Sequence, residues 1–434
     1  MKRIVMMAVA AMMWLTAARA QEPNQYVSEA INAEDWFEVE RRYDECHGQL
    51  TPFVDSLAQC FLHHFFNRPD SALAYYPNLL NNHQAELGGS VPALMWFMAD
   101  DMTKIGDYTT AASLMETLCT AMREAGATEA TFENAATIYR VLSQLGNVME
   151  VQGLHPEGNR IPMVIGSAGN QNVITVPVSA HGAADTLIFD TGAGVNLVTY
   201  DCAHRLGMRF LNASMTVSGA DTTTAQLAVA DTLRMGDLTL RNVPFYVADL
   251  RTGHPEADSA LAVRSFRGAI GPVLFNRLGE IQIDFSDTTL FIPSAPTRLD
   301  IAPNLCFNSS NVLALRLYCN GKEEHLPFDT GAAYTAIHTP GFYSRHEDYI
   351  LSHGSLDTLR WGGYGGYHIE HGYEVSPLTV RVFDTEITLD SVFVSKPDGE
   401  TAVRSGAIGC DLIMECDKAI LNMRDMYLYI KGKE

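Results

Sequence analysis

The chain has 434 residues, 47% of them hydrophobic and 19% charged, which allows two or three domains around a large buried core and excludes a disordered or fibrous class. A formal net charge of −21 excludes the basic surface that phosphate backbones require, so nucleic acid is not an expected partner. No CxxC and no Cys/His cluster with zinc spacing occurs, so neither a structural metal nor a cofactor is expected.

The chain begins Met1-Lys2-Arg3, continues almost wholly apolar from Ile4 to Thr16, and then reads Ala18-Arg19-Ala20. A basic end, a short apolar core and a small-x-small site read as a signal peptide over 1–20. The apolar run is too short for a permanent span, no later stretch reaches that length, and no Cys follows the cleavage site. The expected mature protein is therefore exported, periplasmic or extracellular, without a membrane span, and carries a charge of about −24.

From 21 to 152 apolar residues recur at three- and four-residue spacing, as in Trp36, Phe37, Val39 and Tyr43, then Phe53, Val54, Leu57 and Phe61. This predicts a helical domain. Gly106-Asp107-Tyr108 entering an Ala-rich helix resembles a tetratricopeptide-type entry, but no clean 34-residue period appears. A small helical domain packed on its neighbour is the simpler reading, with a protein partner as the alternative use. Trp96, His63, His64 and His83 read as packing or surface residues, not ligands. The eight cysteines permit disulfides in an exported protein, and Cys306 with Cys319 and Cys410 with Cys416 are the local candidates, against buried free thiols.

Near Val151 the texture changes to short apolar or alternating runs split by Gly, Asn and Asp, an all-β signature. A hairpin is predicted from Val173 to Phe189 with its turn at His181-Gly182. Further strands follow at 216–217, 227–233, 238–240, 245–247, 281–285 and 289–292. After a proline-bearing linker, Pro293 to Pro303, the order begins again with a hairpin turning at Asn320-Gly321. Strands at 378–382, 387–389, 392–394, 419–423 and 427–430 complete it. The predicted β units are 160–297 and 304–434.

Two matches fix the repeat. Leu187-Ile188-Phe189-Asp190-Thr191-Gly192-Ala193 recurs 139 residues later as Leu326-Pro327-Phe328-Asp329-Thr330-Gly331-Ala332. Gly268-Ala269-Ile270-Gly271 recurs as Gly406-Ala407-Ile408-Gly409, with Asp-to-last-Gly distances of 81 and 80. A carboxylate ending a buried strand is costly unless it is bonded or paired, and the same arrangement twice implies that the two act together. Packed about a pseudo-two-fold axis, Asp190 and Asp329 would share one proton, since like charges a few Å apart do not both ionise cheaply. One carboxyl then serves as base on a water while the other polarises a carbonyl and protonates the leaving amine. Gly192 and Gly331 let the backbone approach the carboxylates, and Thr191 and Thr330 hydroxyls bond across the junction.

These motifs resemble the aspartic proteases, both pepsin-like and retroviral-type: hydrophobic-hydrophobic-Asp-Thr-Gly-Ala with a small polar residue at +6, then an apolar-apolar-Gly element. The resemblance covers roughly 160 to 434. It implies a bilobal all-β acid-protease fold following the helical domain, active as a monomer, that cleaves a peptide or protein substrate held extended beneath a β-hairpin flap. Flap candidates are Ser218 to Asp221, including Gly219, and Trp361 to Tyr367, including Gly363, Tyr364 and Tyr367, where four glycines supply mobility. Pro327, just before the second Asp, departs from the pattern because Pro belongs at sheet edges, and the first unit lacks a matching flap tyrosine. The rival class is a non-catalytic peptide-binding protein that keeps the fold. Serine hydrolysis is unsupported, since no Gly-x-Ser-x-Gly occurs.

Overall fold

The computed structural model describes residues 21–166, 172–218, 222–249, 255, 258, 266–363, 366–396 and 406–433. The expected signal peptide lies outside them. Two compact units result: one holds the residues up to Val148 with Cys306–Ser310, the other Met149–Leu305 with Asn311–Glu434.

The first unit is helical. Its longer helices are Gln21–Asn32, Trp36–Cys46, Pro52–Phe65, Pro69–Asn82, Val91–Lys104, Tyr108–Glu124 and Ala130–Ser143. Several start as their sequences dictate. Asp35, Thr51 and Asp107 accept from the backbone N–H three residues on, and Pro52 and Pro69 open helices where no N–H is needed. The apolar stripes meet in a core of Met102, Ala111, Met115, Leu118 and Phe132, and Trp36 stacks on Phe65 at 3.7 Å. Among the described residues no helix is long and apolar enough to cross a membrane.

His64 is wholly enclosed in this unit. Its Nδ1 lies 2.8 Å from Asp101 Oδ2, which also accepts from the Tyr76 hydroxyl at 2.7 Å. His64, Asp100 and Asp101 offer three ligand atoms within 4.8 Å of one another. The Lys104 ammonium already supplies the cation there, 3.0 Å from Asp100 and 3.3 Å from Asp101. Burial acts to raise the Asp101 pKa, but the His64 and Lys104 charges outweigh it and hold the carboxyl down at about 2.

The second unit is β-rich and begins at the texture change near Val151. Glu150–Gln152 is already a strand, paired antiparallel with Leu238–Val247, so the helical pattern ends at Ser143. Strands Ile174–Ala180 and Ala183–Phe189 form the expected hairpin, as do Leu313–Cys319 and Lys322–Pro327. Both turns use positive φ at their two central residues, His181 (49°) with Gly182 (83°) and Asn320 (47°) with Gly321 (78°), as a tight hairpin twist demands. Pro327 ends its strand opposite Ala314, and its carbonyl accepts from the Ile408 N–H at 2.8 Å on the other side.

The closing strands of both β units join one five-stranded sheet. Its order is Asn159–Pro162, Thr289–Ile292, Glu280–Asp284, Cys416–Asn422, Tyr427–Gly432. The stretch expected as a linker is bonded to that sheet: Thr297 N–H donates to Glu280 at 2.7 Å, and the Tyr427 hydroxyl donates to the Thr297 carbonyl at 2.9 Å.

The expected local disulfides are absent. Cys306, Cys319, Cys410 and Cys416 are all buried, and Cys319, Cys410 and Cys416 are free thiols, as small apolar-tolerant side chains often are. Burial pushes the Cys410 and Cys416 thiols up to about 12.

Candidate active site

Each Asp-Thr-Gly follows a buried strand end. Asp190 closes on Gly268–Ile270, which runs parallel to Ala183–Phe189, and its N–H donates to the Ile270 carbonyl at 3.0 Å. Phe328 bridges Ile408 in the same parallel sense, and the Asp329 N–H donates to the Ile408 carbonyl at 2.9 Å. The two Gly-Ala-Ile-Gly elements therefore do one job each: they accept the N–H of an aspartate.

The two loops interlock through their threonines, both fully buried. Thr191 N–H donates to the Thr330 hydroxyl at 3.0 Å, and Thr330 N–H donates to the Thr191 hydroxyl at 2.9 Å. Each hydroxyl in turn donates across the junction, Thr191 to the Phe328 carbonyl at 2.7 Å and Thr330 to the Phe189 carbonyl at 2.6 Å. Four buried groups are thus paired reciprocally, so neither loop completes its hydrogen bonds without the other.

The glycines carry the carboxylates. Gly192 N–H donates to Asp190 Oδ1 and Gly331 N–H to Asp329 Oδ1, each at 2.9 Å, with Ala332 N–H adding a bond to Asp329 at 3.2 Å. A Cβ on Gly192 would fall inside the Asp329 carboxyl, and one on Gly331 inside that of Asp190. Only glycine lets each loop press against the opposite acid. The Asp190 pKa lies well above the ordinary carboxylate range: burial raises it most, then the Asp329 charge and the hydrogen bond between the two carboxyls, against the lowering bonds of Gly192 and Ala193. Both side chains keep a partial opening to solvent.

Beneath the loops the two units differ. Asn196 accepts from Gly271 N–H at 3.1 Å and donates to the Pro244 carbonyl at 3.2 Å. The matching Thr335 accepts from Gly409 N–H at 3.0 Å and is held by Asp411, which accepts from its N–H and its hydroxyl, both at 2.8 Å. Burial raises the Asp411 pKa, partly offset by the Thr335 bonds. Asn196 and Thr335 carried a signal as the polar residue at +6, whereas Asp411 carried none because the second unit has it where the first has Val273.

Of the sequence-predicted site residues, Asp190, Thr191, Gly192, Asp329, Thr330 and Gly331 meet at one place. The second flap candidate falls on a β-hairpin. Trp361, Gly362 and Gly363 end strand Gly354–Gly363, paired residue for residue with Gly366–Val375: Gly362 lies opposite Tyr367 and Gly363 opposite Gly366. Gly219 and Tyr364 lie outside the described residues.

Residues 176–263, which include Asp190-Thr191-Gly192, match the family model described as Aspartyl protease, and the second Asp-Thr-Gly lies beyond the matched stretch. No match is found among curated proteins. The chain thus contains a protease-like domain of the aspartyl type.

Proposed function

We propose that this chain is an aspartic endopeptidase that hydrolyses peptide bonds with a water held between Asp190 and Asp329. The observation that carries the reading is the reciprocal lock of Thr191 and Thr330, which presses the two carboxyls together where burial first, and the Asp329 charge second, lift the pKa of Asp190. The ionised carboxylate takes a proton from water as the oxygen attacks the carbonyl carbon. The protonated partner gives its proton to the carbonyl oxygen, forming a tetrahedral diol. Proton return to the nitrogen then breaks the C–N bond and releases the amine.

On this reading the two β units, 160–297 and 304–434, are lobes related by a pseudo-two-fold axis, each unable to work alone. The chain is exported after loss of 1–20 and acts as a monomer without a cofactor. The helical domain, 21–152, tetratricopeptide-like in its Gly106-Asp107-Tyr108 entry, packs against or recruits protein. Digestion of a denatured protein by residues 21–434 in acid tests the proposal. Cleavage by the wild type and its loss in both Asp190→Asn and Asp329→Asn support it; undiminished cleavage by either variant overturns it.

A further inference from the structure

The helical unit holds a short run of chain that the sequence order would give to the second β unit. Asn304 and Leu305 are fixed in the β unit: both N–H groups donate to the Met426 carbonyl, at 3.1 and 3.0 Å. The Asn304 carbonyl accepts from Arg316 N–H at 2.8 Å, and its side chain exchanges two bonds with Leu428. The residues that follow, Cys306–Ser310, group with the helices, and the chain is back in the β unit at Asn311. It then enters strand Leu313–Cys319, whose Leu313 carbonyl accepts from Phe328 N–H at 2.8 Å and whose Ala314 lies opposite Pro327. Asp329 follows at once. The excursion thus ends just before the strand against which the run into Asp329 is registered.

Two directed contacts hold the excursion among the helices. The Ser309 hydroxyl donates to Glu34 Oε2 at 2.7 Å. Glu34 stands in the turn between helices Gln21–Asn32 and Trp36–Cys46 with a φ of 54°, a left-handed backbone that side chains other than Asn and Asp rarely adopt. The buried ring of Phe307 has its centroid 5.4 Å from Lys104 Nζ. That ammonium is the one pinned by Asp100 and Asp101, so the ring faces a cation whose place is already fixed. Cys306 is equally enclosed, and Asn308 closes the segment's own turn by accepting from Ser310 N–H at 2.9 Å. In the first β unit the stretch ahead of the matching hairpin is held differently: Val164–Ile165 pairs with Ile174–Ala180 inside that unit. Among the described residues only the Asp329 side contributes a segment to the helical unit.

We propose that segment 306–310 is the helical unit's own partner and that the unit works as a clamp: through this segment it keeps strand Leu313–Cys319 in register with the run into Asp329. The helical unit then supports one carboxylate of the pair and not the other. The kinetic part of the inference rests on the endopeptidase reading. The test compares the full chain with the double variant Phe307→Ala, Ser309→Ala and with the milder Ser309→Ala, by hydrogen exchange and by steady-state kinetics on a peptide. In the double variant exchange across 312–328 should quicken about tenfold while the matching first-unit hairpin, 173–189, is unchanged. Its kcat should fall about tenfold with KM within about twofold, because Asp329 and not the substrate loses its support. Ser309→Ala should move both readouts in the same direction by a smaller factor, and carries the test alone if the double variant fails to fold. Exchange quickened equally in both hairpins marks a general loss of stability and overturns the proposal, as does unchanged exchange across 312–328 or an unchanged kcat. A wild type that cleaves no peptide defeats the endopeptidase reading instead, and the exchange comparison still decides whether the clamp exists.

Discussion

The two long hairpins that accompany the two Asp-Thr-Gly loops are held by opposite chemistry. In the first β unit, strands Arg209–Ser218 and Thr222–Met235 rest on an apolar cluster of Leu197, Val217, Ala225 and Ala248, with Val195, Met215 and Tyr246 packed on it. In the second, the same register places Glu370 among His338, Ser395 and Trp361. Leu197 pairs with Tyr246 as Ala336 pairs with Phe393, so Thr199 and Ala248 stand where His338 and Ser395 stand. The interlocked centre is alike in both units while the supports have diverged. The centre is constrained by mutual hydrogen bonding, whereas a hairpin can be held either by area or by a few directed bonds.

The largest expected effect tests where the units must be equal. Asp190→Asn and Asp329→Asn should each lower kcat/KM by about 10³-fold or more, because one shared proton needs both carboxyls. Asp190→Asn should also gain about 1–2 kcal/mol in urea unfolding near neutral pH, since burial and the Asp329 charge raise the folded pKa of Asp190, and a carboxyl with a raised folded pKa loses stability on ionising. The gain should vanish in acid, where Asp190 is already protonated. Unequal losses of activity would break the parallel between the units.

Next come the threonines. Thr191→Val and Thr330→Val should each cost about 2–3 kcal/mol by denaturant unfolding, because each removes bonds to a buried N–H and a buried carbonyl on the other loop. The two costs should agree.

The supports should then separate. Leu197→Ala should cost about 2–3 kcal/mol through lost burial, by the same amount at pH 3 and pH 7. Glu370→Gln should cost about 1–2 kcal/mol near neutral pH and progressively less in acid. Burial acts to raise the Glu370 pKa, but the His338 bond and charge, with Ser395 and Trp361, lower it from 4.5 to about 2. A lowered folded pKa gives stability that is complete above about pH 4.5 and lost as pH falls through about 2. Thermal unfolding of both variants across that range distinguishes the two kinds of support. The smallest effect concerns the thiols. A reductant should leave the unfolding midpoint unchanged, and a thiol reagent should find the partly exposed Cys46 before the buried cysteines.

What was legible in the sequence was what local chemistry dictates. His181-Gly182 and Asn320-Gly321 announced their hairpins because only such pairs accept two successive positive φ values. The doubled Asp-Thr-Gly and the doubled Gly-Ala-Ile-Gly marked the centre, since its bonds run between residues of fixed type. The Glu370 cluster was not legible. His338, Trp361, Glu370 and Ser395 are scattered over 57 residues and meet only through strand register. Asp411 was hidden for a different reason: the first unit does the same work with Asn196, so the repeat gave no second copy to compare. The cysteines misled because proximity in sequence says nothing about whether two thiols face each other.

The central claim is that Asp190 and Asp329 titrate as one acid–base pair, and the pH dependence of kcat/KM on a peptide substrate tests it most directly. Between about pH 2 and about pH 8 the account predicts a bell: a rise as the first proton leaves the pair and a fall as the second leaves, with no activity in either Asn variant. A rate that keeps climbing through neutral pH, or that persists in one of the Asn variants, would contradict it.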